Sequence, residues 1–220
     1  MQKNFYHTIP TGRYFNYICI METTKQNIIN KAFTLFLTIS YREVTLSRLL
    51  KETNLSKGAF YHHFSSKEEL FTEVAEQFFF GAAAGMGFTP SPESGFVMNM
   101  ENFLDAKNEA FKWFAGNYGV DLKELNFFMF IAEAIRYLPG VRDKVRAMVE
   151  SEKHQVKNIL QAAADRGELR AGADPDFLAG HIVKSFDGYE MHGVLLGCST
   201  ETITNEKEMV RQLWEMIKKN

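Results

Sequence analysis

Cysteine is scarce in this chain: Cys19 and Cys198 are the only two, and they stand far apart. A disulfide framework or a thiolate metal site needs more sulfur at closer spacing, and such sparse usage fits a reducing cytoplasm. No run approaches the roughly 20 apolar residues that cross a bilayer. The first 20 residues lack a basic-then-apolar leader pattern, because Asn, Thr, Arg and Tyr interrupt them throughout. Charge of one sign is missing as well. The net charge is only −2, which taken alone speaks against a nucleic-acid binder. Catalytic motifs are also wanting: there is no nucleophile elbow, P-loop, His-Glu-x-x-His or dinucleotide-binding glycine pattern. His154, His181 and His192 do not share metal-ligand spacing on one helix face, and Asp187 with Glu190 reads as an ordinary surface pair. The expectation is a protein that is not an enzyme and holds no metal or cofactor.

What the chain does have is bulk and a charge asymmetry. Its 220 residues are 45% hydrophobic and 24% charged, the balance of a soluble globular protein, and 20 phenylalanines imply an aromatic-rich core or cavity. Residues 21–70 carry seven Lys/Arg against five Asp/Glu, before His62 and His63 are counted, and Lys3 and Arg13 precede them with no acid. From residue 71 onward, 16 basic residues face 22 acidic ones. A mildly basic head on an acidic body fits a DNA reader with a separate regulatory part.

The apolar periodicity is helical throughout, and the fold class is all-α. Ile28, Ile29, Ala32, Phe33 and Phe36 make the stripe of a first helix from Thr24 to about Thr38. Val44 to Phe64 then reads as two short helices about a tight turn. Thr45 is placed to cap the first, whose stripe is Leu46, Leu49 and Leu50. Asn54 suits the turn because asparagine tolerates positive φ, and Ser56 caps Lys57–Phe64. Two overlapping capping boxes, Ser65-x-x-Glu68 and Ser66-x-x-Glu69, open a fourth helix with Leu70, Phe71, Val74, Ala75, Phe78 and Phe79 inward. Residues 85–95 form a Gly/Pro-rich loop. Helical patterns resume at about 96–116, 121–137, 139–166, 175–196 and 205–218, with Asp121 and Asp174-Pro175 as starts and Gly167 as a stop.

Helix, three-to-four-residue turn, helix is the layout of a helix-turn-helix, whose second helix enters the major groove. Phe60 and Phe64 pack inward and leave Lys57, Gly58, Ala59, Tyr61, His62 and His63 outside. Thr45, Ser56, Lys57 and Lys67 are candidates for holding phosphates, and Tyr61 for a phosphate or sugar contact. Arg48, Gly58, Ala59 and His62 are candidates for base edges. The bland alternative is a helical hairpin that serves a core or binds a partner helix without DNA.

Val44-Thr45, Ser56-Lys57-Gly58-Ala59, Tyr61, His63-Phe64 and Ser66-Lys67-Glu68-Glu69-Leu70 together resemble the DNA-binding segment of the TetR family of bacterial transcriptional regulators. Two positions depart from that pattern: Ser40 precedes Tyr41 where the family has glycine, and Asn54 stands where it often has glycine. The resemblance implies three parts: an extension at 1–20, a helix-turn-helix domain at 21–66, and an effector-binding and dimerisation domain at 67–220. Residues 1–20 read either as the product of an upstream start or as a basic arm reaching the minor groove. The resemblance also implies a double-stranded operator, a small-molecule effector, and a homodimer through the helices at about 175–196 and 205–218. Small residues there (Ala179, Gly180, Gly188, Gly193) suit close helix approach. Phe111, Phe114, Phe127, Phe130, Glu133, Met148 and His154 are the effector-site candidates, drawn from an aromatic crowd that equally suits plain core.

Overall fold

The computed structural model describes residues 24–80, 87–118, 127–197 and 201–219; side chains at 78–80, 111, 113–115, 117, 118 and 127 lie outside that description. Within it run α1 (Thr24–Ile39), α2 (Leu46–Thr53), α3 (Lys57–His63) and α4 (Lys67–Val74). The chain continues past α4 as a π-helical segment, Ala75–Phe80. Then follow α5 (Phe96–Tyr118), α6 (Phe127–Tyr137), α7 (Val141–Asp165), α8 (Pro175–Leu196) and α9 (Thr202–Ile217). No strand occurs among the described residues. One antiparallel bridge, Leu169 to Lys218, ties the tail to the α7–α8 loop. Residues 1–20 and Asp121 fall outside the description.

The head is built on α1. Ile28, Ile29, Ala32, Phe33, Leu35, Phe36 and Leu37 are all buried, so this helix is covered around most of its girth rather than along one stripe. Leu49, Phe60 and Phe64 meet it from the hairpin, and Leu70, Phe71 and Val74 from α4. The same core takes in Phe130 and Ala134 of α6, Leu138 just after it, and Val141 of α7. Phe130 lies edge-on to Phe71 at 5.3 Å and to Phe33 at 6.4 Å. The expected single apolar face of the fourth helix does not run through in α-register. The π-helical turn after Val74 widens the spiral, and Glu76 within it pairs with Lys144 of α7.

The body core is a second cluster, formed by Phe96, Met100 and Leu104 of α5, Val156, Ile159, Leu160 and Ala163 of α7, Ala179, Ile182, Val183 and Phe186 of α8, and Val210 and Ile217 of α9. Local chemistry sets its helix ends. Gly167 takes φ 72° and donates to Ala164, while Glu168 donates to Ala163, the paired bonds of a Schellman stop. Asp174 Oδ1 accepts from the amides of Asp176 and Phe177, with Pro175 in the first turn. Asn99 is fully buried and closes the loop before α5: it accepts from the Ser91 amide (2.7 Å) and donates to Ser91 and Ser94 carbonyls.

Candidate nucleic-acid interface

The hairpin is held by its own short-range bonds. Thr45 Oγ1 accepts from Arg48 N at 3.2 Å and starts α2. Asn54 ends it with φ 54°, ψ 38°, its amide reaching back to Leu50 and Lys51 carbonyls. Thr53 is buried and donates to Leu49 O at 2.7 Å. Ser56 Oγ accepts from Ala59 N at 3.1 Å and starts α3. Each capping hydroxyl therefore accepts from its own helix and still has its proton to donate outward.

Phe60 (1% exposed) and Phe64 (2%) fix which way α3 rolls. Burying two such rings contributes roughly 2–3 kcal/mol each. The roll leaves Thr45, Arg48, Ser56, Lys57, Gly58, Tyr61 and His62 exposed and Ala59 half-exposed on one side. Among the described residues neither Arg48 nor Lys57 is in an ion pair. Lys57 Nζ lies 5.9 Å from the Tyr61 ring centre. A Cβ added at Gly58 would meet nothing within 4 Å, so packing inside this chain does not call for glycine there.

Lys67 sits differently. Its ammonium donates to Tyr41 O (2.9 Å) and Val44 O (3.0 Å) and lies 4.2 Å from the Tyr41 ring centre. Burial lowers its pKa from the usual lysine value. It braces the turn between α1 and α2. Tyr41 is the centre of that brace. Its ring stacks on Phe71 at 4.3 Å and touches Tyr137 at 4.9 Å, and its hydroxyl donates to Glu68 at 2.8 Å. Burial, then the bond to Glu68, holds the phenol above its ordinary pKa, while the Tyr41 hydroxyl draws the Glu68 carboxyl below its own. The Tyr41 amide donates to Glu133 Oε2 of α6 at 2.6 Å, a direct link from the body to the head. Ser40, just before it, is forced to φ 79°, where the chain has no glycine. Neither of the two expected capping boxes closes reciprocally: Ser66 Oγ caps α4 by accepting from the Glu69 amide, but the Glu69 carboxylate accepts from the amide and hydroxyl of Ser65, one residue before the cap, and Glu68 is taken by Tyr41.

Four of the effector-site candidates have described side chains. Phe130 packs in the head core and Glu133 braces Tyr41. Met148 is half-buried and His154 is exposed. The side chains of Phe111, Phe114 and Phe127 lie outside the description. Polar groups concentrate elsewhere in the body, where Lys107 of α5 meets Glu152 of α7 and Glu190 of α8, each at 2.8 Å. Burial pulls the Lys107 pKa down, but Glu190 and then Glu152 outweigh it and hold it above the ordinary value. Glu206 of α9 is 4% exposed; burial, then the charge of Glu190, pushes its carboxyl up to about 8. Burial likewise raises Asp187. The Asp187/Glu190 pair is therefore no plain surface. Sequence reading missed Tyr41, Lys107 and Glu206, and only an unpaired acid at an inward position of α9 hinted at the last.

On the outer side of α8 and α9, Met191 (41% exposed), Leu195 (70%), Leu196 (74%) and Met216 (68%) face solvent. A groove between the helices runs past Tyr189, Met209, Leu213 and Met216. Of the small residues expected there, Ala179 and Gly193 are buried within the chain, and Gly180 lies under Lys153.

A solvent-facing helix-turn-helix, rigidly capped and carried on an all-helical body, defines a DNA-binding transcriptional regulator. Residues 28–74 match the model of bacterial regulatory proteins of the tetR family, and 127–206 that of the tetracyclin repressor-like C-terminal domain. The chain belongs to the TetR family. It is 28% identical over 187 residues to the HTH-type transcriptional repressor AcnR of Corynebacterium efficiens, covering 85% of this chain and 90% of that protein. The HTH-type transcriptional repressor DhaR of a Mycobacterium species is 23% identical over 168 residues, 74% of this chain and 79% of that one. In fold it is similar to the regulatory protein TetR from Rhodobacter sphaeroides (TM-score 0.61, 18% identity, 88% of this chain and 98% of that chain). It is also similar to a TetR transcriptional regulator from Chloroflexus aurantiacus (TM-score 0.60, 24% identity, 90% and 97%).

Proposed function

We propose that this protein is a cytoplasmic, homodimeric repressor that holds an operator with the exposed side of α2 and α3 and lets go when a small molecule enters its body. The observation that carries the reading is the open outer side of α3: Lys57, Tyr61 and His62 face solvent with no carboxylate partner among the described residues, and packing makes no demand for the glycine at Gly58. An approaching DNA backbone supplies the demand. Thr45 and Ser56 donate their free hydroxyl protons to phosphates, Lys57 adds charge, and Tyr61 contacts a phosphate or sugar. Arg48, Ala59 and His62 lie nearest the base edges. Lys67, turned toward two carbonyls, acts on DNA through the shape of the head.

The division into a reading head (21–66) and a body (67–220) follows the same reading, with α4 as the lever between them. Glu133 is the coupling point, because a shift of α6 pulls on the Tyr41 amide and tilts the hairpin. A ligand moves this equilibrium only by binding the DNA-incompetent shape more tightly than the competent one. Two chains pairing through α8 and α9 would cover Met191, Leu195, Leu196 and Met216 and set two α3 helices for two half-sites about one helical turn apart.

Fluorescence-anisotropy titration against DNA from the gene's own upstream region, at two salt concentrations, tests the proposal. Tight binding that falls steeply with salt, beats scrambled DNA and saturates at an even number of chains supports it. Binding that ignores salt would favour an apolar protein-interaction hairpin instead.

A further inference from the structure

The body contains a cluster of five ionisable groups drawn from four helices: Lys107 on α5, Glu152 on α7, Asp187 and Glu190 on α8, and Glu206 on α9. One ammonium serves four carboxylates. Glu152 and Glu190 take it at 2.8 Å each, which already leaves that trio one positive charge short. Glu206 feels that ammonium only at longer range, without an ion pair to it: it is 4% exposed, and its Oε1 has no hydrogen-bond partner. A buried carboxylate oxygen without a donor is costly unless something supplies one. The groups that face it are Glu190, Lys107, Glu152 and Asp187, so every further acid there raises the demand for a cation.

The chemistry of that cation can be narrowed. Among the described residues no group of three or more His, Cys, Asp or Glu is arranged to hold a metal ion. A neutral hydroxyl or amide would satisfy one oxygen and leave the charge deficit untouched. A protonated amine does both, because it brings several N–H donors and one positive charge. The surroundings suit an amine on an apolar body: Phe186 precedes Asp187 and lies 6.0 Å from Lys107 Nζ, and buried Phe103 is one turn before Lys107 on α5. We propose that Glu206 and Asp187 form the charge-recognition end of the effector site, and that the effector is a small molecule carrying one protonated amine on an apolar, aromatic-compatible frame. The amine donates to Glu206 Oε1 and lets that carboxyl ionise, so one proton leaves the protein as the ligand enters. This rests on the effector reading given above and specifies its ligand class.

Calorimetric and thermal-shift titrations of the full chain near pH 7 test it, with ethylamine, benzylamine and phenethylamine as probes. Neutral 2-phenylethanol and anionic phenylacetate serve as matched controls, and phosphate and MOPS, neither a primary amine, as buffers with different heats of ionisation. At least one amine should bind and raise Tm while its controls do not, and the heat should differ between buffers as release of one proton requires. Glu206→Gln should keep the fold and lose about tenfold or more in amine affinity, the loss of a charge-assisted bond. The idea is overturned if no amine binds the parent, if the alcohol binds as well as the amine, or if Glu206→Gln binds amine like the parent. An amine that binds without loosening operator DNA would leave the site standing and sink the effector reading. Release by a neutral or anionic compound alone, without amine binding, would do the reverse.

Discussion

The head and the acidic cluster of the body handle buried polar groups in opposite ways. In the head, Tyr41 meets fixed partners: Glu133 at its amide, Glu68 at its hydroxyl and Lys67 at its carbonyl, with the rings of Phe71 and Tyr137 against its own. In the body, one Lys107 is shared by competing acids and Glu206 keeps an unmet oxygen. A satisfied network fixes one geometry, whereas a deficient one is biased by whatever supplies the missing charge. The contrast assigns rigidity to the part that must present α3 in register and responsiveness to the part that must change.

The largest expected effect breaks the rigid half. Phe60→Ala should destabilise the fold by about 3–5 kcal/mol, because the ring is buried in the head core and leaves a cavity. Urea unfolding would show it, and an effect under about 1 kcal/mol would mean the head core is loose. Next comes the joint between the halves. Glu133→Leu leaves the Tyr41 amide without its acceptor and should cost about 1–3 kcal/mol. Operator affinity should fall with it, and a parent-like affinity would remove Glu133 from the coupling.

The responsive half should reveal itself in pH. Glu206 has a folded pKa raised to about 8, so the folded state keeps a proton that the unfolded chain loses at ordinary carboxylate pKa. Its contribution is fully present at low pH and is lost as pH rises from the carboxylate range through about 8. Tm should decline over that window, and Glu206→Gln should flatten the decline, each 1 kcal/mol being about 2–4 °C at this chain length. A parent and variant with parallel profiles would contradict the buried-acid account. The smallest effect is at Ser40, whose φ of 79° favours glycine. Ser40→Gly should stabilise by about 0.5–1 kcal/mol, read as a rise in Tm.

Legibility in the sequence tracked the range of each interaction. Thr45, Asn54, Ser56, Gly167 and Asp174 act within a few residues of themselves, so their caps and turns could be read directly, and with them the order and type of the helices. Glu133 and Tyr41 are 92 positions apart, and Lys207 bonds Asp105 across 102. No local pattern announces such partners. Glu68 shows the same limit in miniature: capping chemistry offered it Ser65, but folding brought Tyr41 closer. Phe130 could be periodic core or pocket wall by spacing alone, and only the packing of α6 on Phe33 and Phe71 places it. The π-helical turn after Val74 was equally hidden, since it changes the period without changing the residue types.

The central claim, that the outward side of α3 meets DNA, is tested most directly by Gly58→Ala. Alanine at this site meets nothing within the chain and is the better helix former, so Tm should hold or rise slightly. Operator affinity, measured by anisotropy beside the parent at the same salt, should fall about tenfold or more, because the added methyl stands where the DNA must approach. An equally stable variant that binds the operator like the parent would contradict the account.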